Sequence, residues 1–237
     1  MDLTIQQRYE RVCERLSAAC VKAVRDPQTV RLLAVSKTHG PDEVEEVAAC
    51  GQTVFGENRI QEARQKIPLC SSRLEWHLVG HLQTNKVKEA VRCFRMIHSV
   101  DSLRLLEAID QAGGLAGGAM PVCLEVNVAG EASKFGLAPD AVPSVLEAAN
   151  RLHRIAVVGL MTIPPITEDP EQVRPCFRRL RDLRDECRAK TGFELPELSM
   201  GMSHDFEVAI EEGATWVRVG TDLFGPRRAV RPVSPDE

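Results

Sequence analysis

A lysine at the end of an apolar strand is the residue of this chain best placed to do chemistry. The run Arg31–Lys37 reads as a strand that ends shortly before a Gly-Pro turn. Alternate residues of a strand share a face, so Lys37 continues the face of Leu33 and Val35. Low-dielectric surroundings lower the pKa of a lysine and favour its use as an amine nucleophile. Taken alone, this stretch is explained more simply by a surface lysine.

A serine later in the chain is a candidate for binding an anion. Ser203 follows the predicted strand Leu198–Met202, and we expect it to cap the next helix, whose free backbone N–H groups can bind an anion. A cap that binds no ligand is the alternative. Asp205 and Glu207 favour that alternative, because acidic residues in the first turn already complement the helix dipole. Phosphate binding therefore needs support from elsewhere.

That support comes from the last predicted strand, Trp216–Gly220. Arg218 lies between two apolar residues of this strand, where a buried guanidinium is costly unless it is paired. It either reaches a carboxylate at the rim or acts as a fixed cation that faces a ligand. Gly220 lets the backbone approach a ligand closely, and Thr221 adds a hydroxyl group.

Eight predicted strands alternate with helices and would position these residues. The strands are Arg31–Lys37, Thr53–Glu57, Glu75–Gly80, Met96–Val100, Met120–Asn127, Ile155–Ile163, Leu198–Met202 and Trp216–Gly220. Helical patterns cover 41–50, 59–67, 84–93, 102–112, 139–152, 170–190 and 203–213. This alternation predicts an α/β fold with a parallel sheet. Eight units in about 200 residues fit a closed (β/α)₈ TIM barrel better than an open doubly wound sheet.

We expect a single domain that spans residues 1–237. Its parts are an N-terminal helix within 1–28, the barrel over 29–226 and a flexible tail at 227–237. In the N-terminal helix, Val12, Leu16 and Val21 are among the apolar residues predicted along one side. This helix could cover either the bottom or one side of the barrel.

The barrel would bring the candidate residues together, because the carboxyl ends of its strands meet at one mouth. Loops after strands seven and eight often hold phosphate in such barrels. Lys37 would react with an aldehyde, the elements around Ser203 and Gly220 would bind a phosphate, and Arg218 would face a polar ring. Pyridoxal 5′-phosphate (PLP) has all three groups.

Composition excludes several other classes of protein. The net charge of −4 over 237 residues gives no basic footprint for nucleic acid. The eight cysteines form no CxxC pair and suit reduced core thiols. The charged N-terminus has no apolar signal core, and no apolar run approaches the length of a membrane span. The six histidines lack metal-ligand spacing, so we expect no metal site. We therefore expect a cytoplasmic monomer that does not bind membranes.

Several ordered motifs make the chain resemble the pyridoxal-phosphate homeostasis protein family of the YggS/PROSC type. The matching segments are Ala34–Lys37, Phe55–Asn58, Trp76–Lys86, Ser133–Leu137, Gly159–Thr162, Glu197–Ser203 and Val217–Gly220. They extend from about residue 31 to 226, whereas the N-terminal helix and the tail match only loosely. The resemblance implies a fold-type III barrel similar to the barrel domain of alanine racemase.

The resemblance also implies roles for individual residues in binding PLP. Lys37 would hold the cofactor as an internal aldimine (a Schiff base). Ser203, Gly220 and Thr221 would hold the phosphate, partly through backbone N–H groups. Asn58 would approach the phenolic oxygen of the ring.

Other matching positions are less directly assigned. Arg218 would face the pyridine nitrogen, whereas His81 and Lys134 lie in family motifs without an assigned contact. The usual sequence Asn-Thr-Ser-Gly-Glu is replaced by Asn-Val-Ala-Gly-Glu at 127–131, which removes two side-chain hydroxyls.

Two functions fit these residues. One is a PLP-dependent enzyme similar to an amino-acid racemase, and the other is a protein that holds PLP and delivers it to apo-enzymes. Racemisation needs a second acid or base opposite Lys37, and the chain's one tyrosine, Tyr9, lies in the N-terminal helix. A cation at the pyridine nitrogen would also weaken the ring as an electron sink. We therefore expect a role in PLP homeostasis without catalysis.

Overall fold

The structure is a computed structural model that describes residues 3–113, 118–131 and 133–226, so the predicted tail at 227–237 lies outside the described residues. Its eight strands are all parallel and form a closed barrel in sequence order. They are β1 Arg31–Val35, β2 Val54–Glu57, β3 Glu75–Leu78, β4 Met96–Val100, β5 Met120–Glu125, β6 Ile155–Met161, β7 Glu197–Met202 and β8 Trp216–Val219. The TIM-barrel prediction is confirmed, and the open sheet is excluded.

A helix follows each strand. The α-helices are α1 Ile5–Lys22, α2 Pro41–Ala49, α3 Ile60–Lys66, α4 Val87–Cys93, α5 Leu103–Ala112, α6 Val142–Ala149, α7 Arg174–Thr191, α8 Phe206–Glu211 and α9 Thr221–Phe224. Short 3₁₀ turns precede α4, α6 and α7, which accounts for their later starts than predicted. The short helix α9 has no counterpart in the sequence prediction.

The N-terminal helix α1 begins at a capping box and buries one side. The Thr4 side chain accepts a hydrogen bond from the Gln7 backbone, and the Gln7 side chain accepts one from the Thr4 backbone. Val12 and Leu16 are buried as predicted, but Val21 is 73% exposed. Val21 lies nine residues after Val12, which at 100° per residue places it on the opposite side of the helix.

Helix α1 lies along the side of the barrel, which answers the question left open by the sequence. It packs against α8, α9 and α2. In a (β/α)₈ barrel, the helix after β8 normally packs between the helix after β7 and the helix after β1. Here α9 has only four residues, so α1 fills that space and completes the outer layer.

The barrel interior contains two small apolar clusters and several buried polar side chains. One cluster comprises Leu33, Val35, Val79 and Trp216, and the other comprises Met96, Cys123 and Met161. The largest cluster lies between the strands and the surrounding helices. Leu33 and Val35 lie on the same face of β1, as strand alternation predicts, and both face the barrel interior below the mouth.

We expect the substitution Gly159→Ala to destabilise the barrel by about 3 kcal/mol. A methyl group at Gly159 on β6 would lie 2.0 Å from the Glu197 carbonyl oxygen on β7, and this contact is with backbone that cannot rotate away. Urea unfolding would measure the loss. Gly118→Ala is the matched control, since no atom of the described residues lies within 4 Å of the added methyl group. Equal unfolding midpoints for the two variants would contradict this account.

Candidate functional site

A cavity of about 280 Å³ lies at the carboxyl ends of the strands. This volume is close to the lower end of the range of small-molecule pockets, roughly 300 Å³. All six residues predicted to bind a ligand lie on its wall: Lys37, Asn58, Ser203, Arg218, Gly220 and Thr221. The structure therefore brings together residues that are up to 184 positions apart in the sequence, from Lys37 to Thr221.

Lys37 lies in the turn after β1, two residues beyond the last strand residue Val35, rather than on the strand itself as predicted. The next residue, Thr38, has φ of 68°, a left-handed conformation that a branched side chain disfavours. Such a conformation persists only where surrounding contacts hold it. These contacts come from α3 and from the end of β2.

A buried ionic network holds the two neighbours of Lys37. Glu57 Oε1 accepts hydrogen bonds from Ser36 Oγ (2.6 Å) and Lys66 Nζ (2.6 Å). Lys66 Nζ also donates to the Ser36 carbonyl oxygen (2.8 Å) and to Glu62 Oε1 (2.9 Å). Glu62 Oε1 in turn accepts a bond from the Thr38 backbone N–H at 2.5 Å. Both sides of the Lys37 turn are thus tied to one ammonium group and its two carboxylates.

Glu57 is fully buried in this network. Burial raises the pKa of its carboxyl group, and the charge and hydrogen bond of Lys66 act in the opposite direction. Glu57 Oε2 is buried without a hydrogen-bond partner among the described residues. The network therefore depends on Lys66 to offset the cost of burying a carboxylate.

Arg218 is 5% exposed and lies on the cavity wall. Its Nη1 donates to Ser199 Oγ (2.8 Å), and its Nη2 donates to the Thr162 carbonyl oxygen (2.9 Å). The guanidinium is thus held by two uncharged acceptors and not by a rim carboxylate, which was one of the two arrangements that the sequence allowed. Burial lowers its pKa, and the charges of Asp205 and Glu125 act in the opposite direction.

Ser203 is not the N-cap of the following helix, so that prediction is wrong. Helix α8 starts at Phe206, and Asp205 occupies the cap position. Asp205 Oδ1 accepts a bond from the Met202 backbone N–H at 2.6 Å, which closes a turn before the helix can begin. Ser203 Oγ instead accepts long bonds from the backbone N–H groups of Gly220 (3.3 Å) and Asp222 (3.4 Å).

An arginine on α1 joins the loops after β7 and β8. Arg15 donates to the Ser203 carbonyl oxygen (3.2 Å) and to Glu207 Oε1 (2.6 Å), and it also forms an ion pair with Asp222. Its guanidinium lies 4.5 Å from the centre of the Phe206 ring. The N-terminal helix, for which the sequence indicated no role at the site, therefore links the Ser203 backbone to Asp222, the residue after Thr221.

Two glycines allow neighbouring backbone segments to pack closely at the cavity wall. A side chain at Gly80 would lie 2.2 Å from the Asn58 carbonyl oxygen, so a glycine here lets β3 support the segment that carries Asn58. A side chain at Gly220 would lie 3.1 Å from the Val35 carbonyl oxygen. The end of β8 can therefore lie directly against the end of β1.

Sequence reasoning missed two titratable residues near the mouth. His39 lines the cavity, stacks on Phe224 (4.8 Å between ring centres) and lies 3.1 Å from Glu43. Glu125, at the end of β5, is 6% exposed, and burial followed by the charge of Asp101 raises its pKa to about 7. An acidic residue inside an apolar strand pattern was the signal available for Glu125.

His81 and Lys134, which have no predicted contact, do not line this cavity. His81 Nδ1 lies 3.0 Å from Asp101, and its ring stacks on Phe135 with 3.8 Å between ring centres. Lys134 Nζ lies 2.7 Å from Glu131, in the loop that departs from the family pattern.

Within residues 3–113, 118–131 and 133–226, no group of three or more histidine, cysteine, aspartate or glutamate side chains could hold a metal ion.

No helix in the described part of the chain has the length and apolar character needed to cross a membrane.

The fold and site define a class: residues 16–228 match the family model of the alanine racemase N-terminal domain. The chain is 48% identical over 223 residues to the pyridoxal phosphate homeostasis protein of Aquifex aeolicus, covering 94% of this chain and 98% of that protein. It is 43% identical over 232 residues to the protein of that name from Pseudomonas aeruginosa, covering 98% and 99%. The chain therefore belongs to the pyridoxal phosphate homeostasis protein family.

A solved structure supports the same assignment. PipY from Synechococcus elongatus, solved with PLP bound, superposes with a TM-score of 0.80 at 39% identity. The match covers 90% of this chain and all of that chain. The family resemblance inferred from the sequence motifs is thus confirmed over nearly the full length.

We expect Lys66→Met to lower the free energy of unfolding by about 3 kcal/mol or more, because Glu57 would be left as a buried, unpaired carboxylate. Urea unfolding with circular dichroism would measure the change. Lys86→Met is the control, since Lys86 pairs with Glu89 at a partly exposed position and should change stability by less than about 0.5 kcal/mol.

The double variant Lys66→Met/Glu57→Gln provides a second check. It removes both charges, so it should recover part of the stability lost in Lys66→Met. A double variant that is less stable than the single variant would show that the ionic network is not the cause.

Glu125 should make stability fall as pH rises. Its pKa is raised from 4.5 to about 7 in the fold, so its contribution is complete below pH 4.5 and is lost as pH rises through 7. Glu125→Gln mimics the protonated form. Between pH 4.5 and 8 the wild type should lose about 3 kcal/mol relative to this variant, measured by urea unfolding at each pH. A pH-independent difference would disprove this assignment.

Proposed function

We propose that this protein binds pyridoxal 5′-phosphate covalently through Lys37 and serves in PLP homeostasis without catalytic turnover. The observation that carries the proposal is that one small cavity collects an amine, a buried guanidinium and a set of N–H and hydroxyl donors. These three kinds of group match the aldehyde, the ring and the phosphate of PLP.

The phosphate would be held at the ends of β7 and β8. The Gly220 and Asp222 N–H groups already point at one acceptor, the Ser203 hydroxyl, and their bonds to it are longer than 3.2 Å. A phosphate oxygen is a stronger acceptor than a hydroxyl, so these donors favour it. The hydroxyls of Ser203 and Thr221 add two further donors on the same wall.

The ring would lie between Lys37 and Arg218, with Asn58 beside it. The Arg218 acceptors are uncharged, so no carboxylate bonded to the guanidinium neutralises its charge. A cation facing the pyridine nitrogen disfavours protonation of that nitrogen. When bound, PLP would supply an aldehyde for covalent capture but a poor electron sink for carbanions.

The position of Tyr9 supports holding rather than turnover. Tyr9 lies in a groove between α1 and α2 with Cys13 and Cys50, away from the cavity that contains Lys37. The racemase-like alternative needs an acid or base opposite the lysine. In the racemases that the barrel resembles this group is a tyrosine, and Tyr9 does not line the Lys37 cavity.

The remaining parts of the proposal concern partners and location. The recipients of the cofactor would be PLP-dependent apo-enzymes, and the protein would act as a monomer in the cytoplasm. All eight cysteine side chains are free thiols, as suits a reducing compartment.

We expect purified protein incubated with PLP to gain an absorption band at the blue edge of the visible spectrum. Borohydride should then fix the cofactor on the peptide that contains Lys37. Lys37→Ala should lose at least about 90% of the reducible adduct, because the amine that forms the link is removed. Lys86→Ala, which changes a lysine outside the cavity, should keep it. An adduct that maps mainly to another lysine would refute the assignment.

The same preparation tests the enzyme alternative. Incubation with single enantiomers of several amino acids should leave their optical rotation unchanged. Sustained racemisation that disappears in Lys37→Ala would replace the proposed role with an enzymatic one.

A further inference from the structure

Five side chains form a continuous line of hydrogen bonds through the barrel interior. The line runs from Arg218 at the cavity to Glu75 at the start of β3, through Ser199, His98 and His77. Ser199 Oγ lies 2.8 Å from Arg218 Nη1 and 2.8 Å from His98 Nδ1. His98 Nε2 lies 2.9 Å from His77 Nδ1, and His77 Nε2 lies 2.8 Å from Glu75 Oε1.

With both histidines neutral, the direction of every bond in this line follows from its two ends. Arg218 can only donate, so Ser199 accepts from it and directs its own hydroxyl hydrogen to His98 Nδ1. His98 then carries its proton on Nε2 and donates to His77 Nδ1. His77 likewise carries its proton on Nε2 and donates to the Glu75 carboxylate, which can only accept. Both histidines are neutral in this arrangement.

The surroundings of His98 favour its neutral form. Burial lowers the pKa of His98 well below its ordinary value, and the charges of Arg218 and Arg31 act in the same direction. The hydrogen bond from His77 lowers the pKa of Glu75, with Arg95 and Arg31 also nearby.

The line is shielded along most of its length. Ser199 and His98 are fully buried and His77 is 1% exposed, whereas the Glu75 side chain is half exposed. The Trp216 ring meets the rings of both histidines edge-on. In such low-dielectric surroundings, hydrogen bonds that point the same way polarise one another. The fixed charges at the two ends support the same direction.

We propose that His98 and His77 are positioning residues for Arg218 and set how strongly its guanidinium acts on a ring bound in the cavity. This inference rests on the proposed binding of PLP. The hydrogen bond to His98 fixes the direction of the Ser199 hydroxyl, so that a lone pair of its oxygen faces Arg218. Loss of that acceptor would let the Ser199 hydroxyl rotate. This rotation would weaken one of the two hydrogen bonds that hold the Arg218 guanidinium plane.

A different explanation is that these polar groups merely satisfy one another while they fill the barrel. Under that explanation, substitutions in the line change stability but leave the properties of the bound ring unchanged. The two explanations therefore differ in a spectroscopic property of the loaded protein.

The test compares His98→Asn with His98→Gln in protein loaded with PLP. The amide of asparagine falls near the position of Nδ1 and can still accept from Ser199, whereas the amide of glutamine falls near Nε2 and leaves Ser199 without its acceptor. The readout is the pH titration of the PLP ring nitrogen, followed by NMR of isotope-labelled cofactor, with the absorption spectrum recorded in parallel.

We expect the ring-nitrogen pKa to rise by about one pH unit in His98→Gln, because a less constrained Arg218 opposes protonation less. In His98→Asn it should stay close to the wild-type value. Identical titrations in all three proteins, or equal shifts in both variants, would overturn the proposal. If wild-type protein forms no adduct with PLP, it is the proposed function that fails.

A second measurement needs no variant, so it decides the matter even if the His98 variants do not fold. NMR of the histidine ring nitrogens in the wild-type protein should show both His77 and His98 as neutral rings protonated on Nε2. Loading with PLP should shift the His98 signals, because the line ends at the cavity. A proton on Nδ1 of His98, or His98 signals that do not respond to loading, would overturn the proposal.

Discussion

The site depends above all on the pairing of β1 with β8, which closes the barrel. In this pairing Leu33 lies opposite Arg218, and the absence of a side chain at Gly220 lets the β8 end approach the Val35 carbonyl oxygen. The turn that carries Lys37 thereby comes to share a wall with residues from the far end of the sequence. A barrel closes only when all eight strands keep their register, so the site forms only when the whole sheet has formed.

The charged groups around the cavity are held in two different ways, and the difference suits their roles. Lys66 is surrounded by two carboxylates, which neutralise it and fix the backbone on both sides of Lys37. Arg218 is bonded instead to a hydroxyl and a carbonyl group, so its charge remains available to a ligand. The first arrangement gives a rigid turn, and the second gives a rigid cation.

Much of this was accessible from the sequence, because it depends on local patterns. Alternation of strands and helices indicated the barrel, and strand parity put Leu33 and Val35 on one face of β1, although Lys37 itself lies in the turn after that strand. The start of α8 was not accessible, since the Asp205 side chain competes with helix formation by closing a turn on Met202. The exposed position of Val21 could have been predicted from the helical period, but its apolar side chain suggested burial.

The contacts between distant elements could not be predicted from the sequence, for a different reason. Nothing in the types of His77, His98 and Ser199 indicates that they meet, because their contact depends on how strands are staggered around a closed barrel. The role of Arg15 depends likewise on α1 taking the place of a helix after β8. A sequence pattern predicts which face of an element is buried, whereas the partner across the core is fixed only by the assembled fold.

This dependence on assembly also bears on how the loops at the cavity are held in place. In this chain α1 completes the helical layer and, through Arg15, ties together the two loops proposed to hold phosphate. The barrel thus supplies from its own first helix a restraint that a neighbouring domain could otherwise provide. Such a restraint contributes to binding by reducing the ordering cost of the loops, and it adds no acid or base at the reacting atoms.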